Sequence, residues 1–160
     1  MGSAKARSTF TLSATLGYNG RMNPPLINTD KSFADLMKKC RKDASLWVQY
    51  SSQLTQMKFF ALVRKAERYD DMRKLQFLSY EESETRLIPV FSEKKLTHSI
   101  QKEVPESTVI ELGGQDLFEG LIHTIRSLER LMGCKAILDP GTSHSVFLTK
   151  EILVAMVQVF

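Results

Sequence analysis

The residues best equipped for chemistry lie in one short string, Asp139-Pro140-Gly141-Thr142-Ser143-His144, which holds the acid, hydroxyl and imidazole of a hydrolase relay. Such a relay needs the imidazole within hydrogen-bond reach of the hydroxyl and a carboxylate behind it, which normally brings residues from separate elements. Ser143 and His144 are adjacent, and no Gly-x-Ser-x-Gly elbow surrounds the serine. A structural loop fits the string better. Asp139 and Ser143 are expected to bond backbone groups, Pro140 and Gly141 to turn the chain, and His144 to be a surface turn residue. Hydrolysis at the Asp139 to His144 loop is the minor alternative.

Other chemistry is weaker. Gly113-Gly114 before a helix could offer backbone N–H groups to a phosphate, but no Gly-x-Gly-x-x-Gly pattern or following lysine is present. Asp116 places a negative charge where the anion would sit, as expected of an ordinary helix start. His98 and His123 fall on different helices with no spaced carboxylate or thiol, so no metal site and no cofactor are expected. Glu81, Glu82 and Glu84 read as a hairpin tip, where carboxylates are solvated or meet a basic partner. Acid/base catalysis would need them in a desolvated cleft. The two cysteines, Cys40 and Cys134, lie far apart without a Cys-x-x-Cys pair, which points to free buried thiols in a reducing compartment.

Composition bounds what must hold these residues. A chain of 160 residues with 42% apolar and 25% charged side chains matches a globular domain and excludes collagen, disulfide-scaffold and disordered classes. No apolar run reaches the roughly 18 residues of a membrane span. The net charge of +4 is local: Lys5, Arg7 and Arg21 supply three of those charges, with no acid before Asp30. The body is nearly neutral, and only Lys38, Lys39, Arg41 and Lys42 cluster there. These seven bases are the candidate contacts for a partner or for RNA phosphates, although such a run on a helix is usually a solvated face.

Residues 1–29 form an N-terminal extension rich in serine and threonine, with bases and no acid, the composition of an organellar transit peptide. Hydroxyl residues interrupt Phe10, Leu12 and Leu16, which excludes a secretory apolar region, and Ala6 stands where myristoylation needs Ser or Thr. The expected setting is the mitochondrial matrix, or otherwise the cytoplasm. If ordered, this tail would be held against a partner, because its glycines and prolines cannot build a core.

Residues 30–160 read as one α/β (α+β) domain. Asp30 or Ser32 can cap a helix with Phe33, Leu36, Met37 and Cys40 on its apolar face. A second helix carries Leu46, Trp47, Tyr50, Leu54 and Met57 at helical spacing. Phe59 to Val63, Leu75 to Tyr80 and Arg86 to Phe91 read as antiparallel strands, and Ser92 as the start of a helix ending near Lys102. Thr108 to Leu112 is a short strand, followed by a long helix with Leu117, Leu121, Ile125, Leu128 and Leu131 on one face and Gly133 at its end. Cys134 to Leu138 and Val146 to Leu148 are strands, and Thr149 caps a last helix bearing Ile152, Leu153, Met156 and Val157.

Three strings carry a resemblance over about two thirds of the chain. Leu87-Ile88-Pro89-Val90-Phe91-Ser92, Val109 to Leu117, and Ala136 to His144 followed by Val146 to Ile152 match in order and spacing the N-terminal domain of the bacterial SseB (enhanced serine sensitivity) family. Asp139 stands where that family usually has asparagine, and the first 30 residues have no counterpart. The resemblance implies a mixed β-sheet flanked by helices, a module for protein interaction or structure, and no catalytic residue to carry over. The resulting expectation is a non-catalytic accessory subunit of a large, mitochondrial assembly, bound to other protein subunits. An RNA-contacting subunit of a mitochondrial ribosome or its assembly particle is the alternative; no small-molecule substrate is evident.

Overall fold

The computed structural model describes residues 26–27, 30–64 and 75–158. Lys5, Arg7 and Arg21, and with them nearly all of the N-terminal extension, lie outside the described residues. The chain forms α1 (Asp30–Cys40), α2 (Ser45–Gln49), α3 (Ser51–Gln56), β1 (Lys58–Arg64), β2 (Tyr80–Glu82), β3 (Thr85–Phe91), a 3-10 turn (Lys94–Thr97), α4 (His98–Glu103), β4 (Ser107–Gly113), α5 (Gly114–Leu128), β5 (Gly133–Leu138), β6 (Val146–Leu148) and α6 (Lys150–Val157). This is an α/β fold around a six-stranded mixed sheet in the order β4-β1-β3-β5-β6, with β2 on β3.

Strand alternation explains the sheet's two faces. Phe59, Ala61, Val63, Ile88, Val90, Ala136, Leu138, Val146 and Leu148 point to one side, where α1, α2, α3, α5 and α6 bury Met37, Trp47, Leu54, Leu117, Leu121, Leu153 and Met156 against them. On the other side Leu62, Leu87 and Phe91 are also buried, with the 3-10 turn against β1 and β3 and α4 against β4. β3 and β5 are the parallel pair, in register from Thr85 opposite Gly133 to Val90 opposite Leu138. Parallel strands need a crossover, and α5, between β4 and β5, carries the chain back across the helical face.

Several sequence boundaries shift. The second expected helix is two, α2 and α3, broken at Tyr50; the Ser51 hydroxyl donates to the Val48 carbonyl at 2.7 Å, tightening the turn there. Leu75 to Tyr80 is not one strand. Phe77 bridges Val63, and the chain then leaves β1 to pair as β2 with β3, so no single ladder can include it. The β2–β3 turn does put Glu81, Glu82 and Glu84 at an exposed hairpin tip, where Ser83 and Glu84 take positive φ of 51° and 64°, matching the twist of the strands. The long helix stops at Leu128, so Leu131 is exposed rather than on the apolar face, and Gly133 begins β5 instead of ending the helix.

Candidate functional site

The Asp139 loop follows the carboxyl end of β5 beside the end of β3. The Asp139 N–H donates to the Val90 carbonyl at 2.8 Å, adding one rung to the parallel ladder. The backbone then turns through a positive φ of 49° at Asp139 and 84° at Gly141. That turn aims the Asp139 carboxylate back at β3, where Oδ1 accepts the Ser92 N–H at 2.7 Å and Oδ2 accepts the Ser92 hydroxyl at 2.6 Å. His144 Nε2 meets the same Oδ2 at 2.9 Å. Asp139 has no exposed surface, and a carboxylate without water is tolerable only with such partners. The Thr142 hydroxyl closes the loop on the Asp139 carbonyl at 2.7 Å.

Three expectations are corrected here. His144 is not a surface turn residue: its side chain is mostly buried, and its ring stands edge-on to Phe33 of α1 at a centroid distance of 6.3 Å. Phe33 continues to Phe59 and Phe59 to Phe118, so the imidazole ends an aromatic row running into the core. Ser143 is exposed and bonds through its carbonyl, which accepts from the Arg41 guanidinium. Ser92, read as the start of a helix, spends its hydroxyl on Asp139 instead, and the turn after it begins at Lys94.

The relay order is therefore not formed. In an acyl-transfer triad the imidazole stands between hydroxyl and carboxylate, whereas here the carboxylate stands between Ser92 and His144, and the Ser143 hydroxyl takes no part. The arrangement is a clasp. It ties β3, β5 and the loop together, while Phe33 and Arg41 bring α1 onto it.

At the other helix start that the sequence offered to a phosphate, Gly113 and Gly114 do lead into α5 with Asp116 in its first turn. The reason for Gly114 is close packing: a Cβ there would stand 2.1 Å from the Leu54 carbonyl oxygen. The Gly114 N–H donates to the Met57 carbonyl at 2.7 Å and is not free for an anion. Among the described residues no group of three or more histidines, cysteines or carboxylates is placed to hold a metal ion. His98 and His123 are exposed on α4 and α5. Cys40 is buried and Cys134 half-buried, both as free thiols. Burial, with Asp43 adding to it, pushes the Cys40 thiol up to about 12, and burial raises Cys134 too. Neither holds a thiolate ready for nucleophilic attack near neutral pH.

The remaining candidates lie on α1 and in the turn that follows it. Phe33, Leu36, Met37 and Cys40 face inward as the spacing predicts, leaving Lys38, Lys39, Arg41 and Lys42 exposed. Arg41 is engaged by the loop and Asp43 by the Ser45 N–H and hydroxyl, at 3.0 and 2.6 Å. Lys31, Lys38, Lys39 and Lys42 have no hydrogen-bond or ion-pair partner among the described residues. Beside them, between α1 and α2, opens a groove of about 290 Å³ with Leu26, Ile27, Leu36, Leu46 and Tyr50 among its lining residues. The Ile27 N–H, bonded to the Gln53 Oε1 at 2.7 Å, holds one wall in place. Periodicity alone did not disclose the groove, because Leu46 and Tyr50 read as ordinary core positions.

No protein-family model matches the chain, and no curated protein matches it. Among the described residues no helix is long and apolar enough to cross a membrane.

Proposed function

We propose that this chain is a non-catalytic docking subunit of a larger protein assembly. The observation that carries the reading is a division of labour among its polar groups. The acid and imidazole of the 139–144 string bond each other and Ser92 inside the clasp, whereas the ammonium groups of Lys31, Lys38 and Lys39 on α1 have no partner among the described residues and stand beside a groove with both aliphatic and polar lining. Groups already bonded to each other hold a fold; unpaired charges at an apolar edge have binding energy left to give to a partner. The acid-free, hydroxyl-rich composition of residues 1–29 supports a mitochondrial setting.

An RNA-contacting subunit is the second reading, favoured by the exposed Lys38, Lys39 and Lys42. One experiment separates the two: native extract from the source cells is run through a sizing gradient with and without ribonuclease. A large particle that survives ribonuclease is the expected result. A particle that collapses supports the RNA reading, because phosphate contacts dominate such binding. Migration near 18.2 kDa without partners overturns both.

A further inference from the structure

The groove between α1 and α2 has a chemistry that selects its occupant. The aliphatic Leu26, Ile27, Leu36 and Leu46 line it in equal number with the polar Ser32, Asp35, Lys39 and Tyr50. Leu26 is 75% exposed. Lys39 and Asp35 are the two charged residues among the described lining. They are spaced for an i, i+4 pair on one helix face, yet no ion pair joins them among the described residues. With about 3.6 residues per turn, Lys31 and Lys38 fall on the flank of α1 next to Asp35 and Lys39, while Arg41 turns the other way towards Ser143. Among the described residues, the edge of the groove thus offers several ammonium groups without an ion-pair partner against one such carboxylate. Tyr50 adds a half-buried phenol with no hydrogen-bond partner among the described residues, a donor for an incoming carbonyl or carboxylate.

From this complementarity we infer that the α1–α2 groove is the docking site for a segment of a partner protein that carries aliphatic side chains flanked by carboxylates. The inference rests on the docking-subunit reading and names the partner's chemistry. Leucine-like side chains cover Leu26 and fill the space over Leu36 and Leu46, and acidic neighbours meet Lys39 and the lysines beside it. A nucleic acid strand fits the groove less well, since single-stranded sites present aromatic platforms for base stacking, and Tyr50 is the one aromatic residue among the described residues that line it.

The test uses the full chain and a short fluorescein-labelled peptide built from leucine and glutamate. Two companion peptides replace every glutamate with lysine or every leucine with serine. Leu26→Asp and Lys39→Glu are the protein variants; both positions are exposed, and unchanged emission from the buried Trp47 confirms that each variant folds. The leucine–glutamate peptide should bind the parent chain best, and each variant should weaken it by about fivefold to tenfold. Equal binding of the three peptides, or parent-like binding by both variants, overturns the proposal. So does a uridine oligonucleotide that displaces the peptide and loses its own affinity in Lys39→Glu but not in Leu26→Asp.

A sizing gradient of cells expressing each form then separates this proposal from the reading beneath it. A particle formed by the parent chain and lost by the double variant supports both. If the double variant enters the particle too, the groove assignment fails and the docking-subunit reading stands. If neither form enters a particle, both fail together.

Discussion

The Asp139 clasp and the α1–α2 groove use similar residue types to opposite ends. In the clasp, one buried carboxylate receives an N–H, a hydroxyl and an imidazole, and every contact is internal. At the groove, Lys39 and the Tyr50 phenol have no hydrogen-bond partner among the described residues and stand beside aliphatic side chains. The comparison shows why residue type alone is a poor guide to function. Asp139, Ser143 and His144 look reactive as a string, but two of them are committed to holding strands and a helix. Lys38 and Lys39 look like a solvated helix face, yet Lys39 lines the α1–α2 groove.

Breaking the clasp should have the largest effect. Asp139→Ala leaves the Ser92 N–H and the His144 imidazole without their acceptor and should cost about 3 kcal/mol, by analogy with removing one member of a buried pair. The single tryptophan, Trp47, is buried, and its emission in urea melts gives the measurement. His144→Ala removes one of three donors and the edge contact to Phe33, and should cost about 1–2 kcal/mol in the same melts. A larger loss for His144→Ala than for Asp139→Ala would mean that the carboxylate is not the centre of the clasp. Asp139→Asn should be mildest of the three, about 1 kcal/mol. Its carbonyl can still accept the Ser92 N–H, and its amide can donate to a neutral imidazole.

Cys40 sharpens the contrast between the inner and outer faces of α1. Its thiol is pushed from 9.0 up to about 12 by burial first and then by Asp43, so the folded chain retains a proton that the unfolded chain releases. The unfolded state then binds fewer protons, the slope of stability with pH is negative, and the thiol's contribution is lost as pH rises from about 9 towards about 12. Urea midpoints should be insensitive to this group below that range and fall within it. At neutral pH, thiol reagents should label Cys40 more slowly than the half-buried Cys134. The smallest effect belongs to the outer face: Lys38→Glu and Lys42→Glu should leave stability within about 0.5 kcal/mol of the parent. A substantial loss there would show that these lysines serve the fold.

Much of the fold was legible locally. The inward face of α1, the strand cores of β1, β3, β5 and β6, and the Thr149 cap, whose hydroxyl accepts from the Ile152 N–H at 3.3 Å, follow from periodicity and capping chemistry. The errors fell where one segment must satisfy two neighbours. Tyr50 interrupts a helix of uniform apolar spacing, and residues 75–82 change partners from β1 to β3. Ser92 was misread because a serine after a strand is a good helix cap until a carboxylate competes for its hydroxyl.

The sequence by itself determined which residues face the core, where charge accumulates, and that Asp139 begins a turn. Those properties depend on the backbone period and on neighbours a few positions away. Tertiary structure alone decided that Asp139 meets Ser92 across 47 positions, because the parallel register of β3 and β5 brings their ends together. It also decided that Leu26, Leu36, Leu46 and Tyr50 line an open groove rather than a closed core. An apolar stripe specifies that a face must be covered, but the packing angle between α1 and α2 determines how much of it their own chain covers.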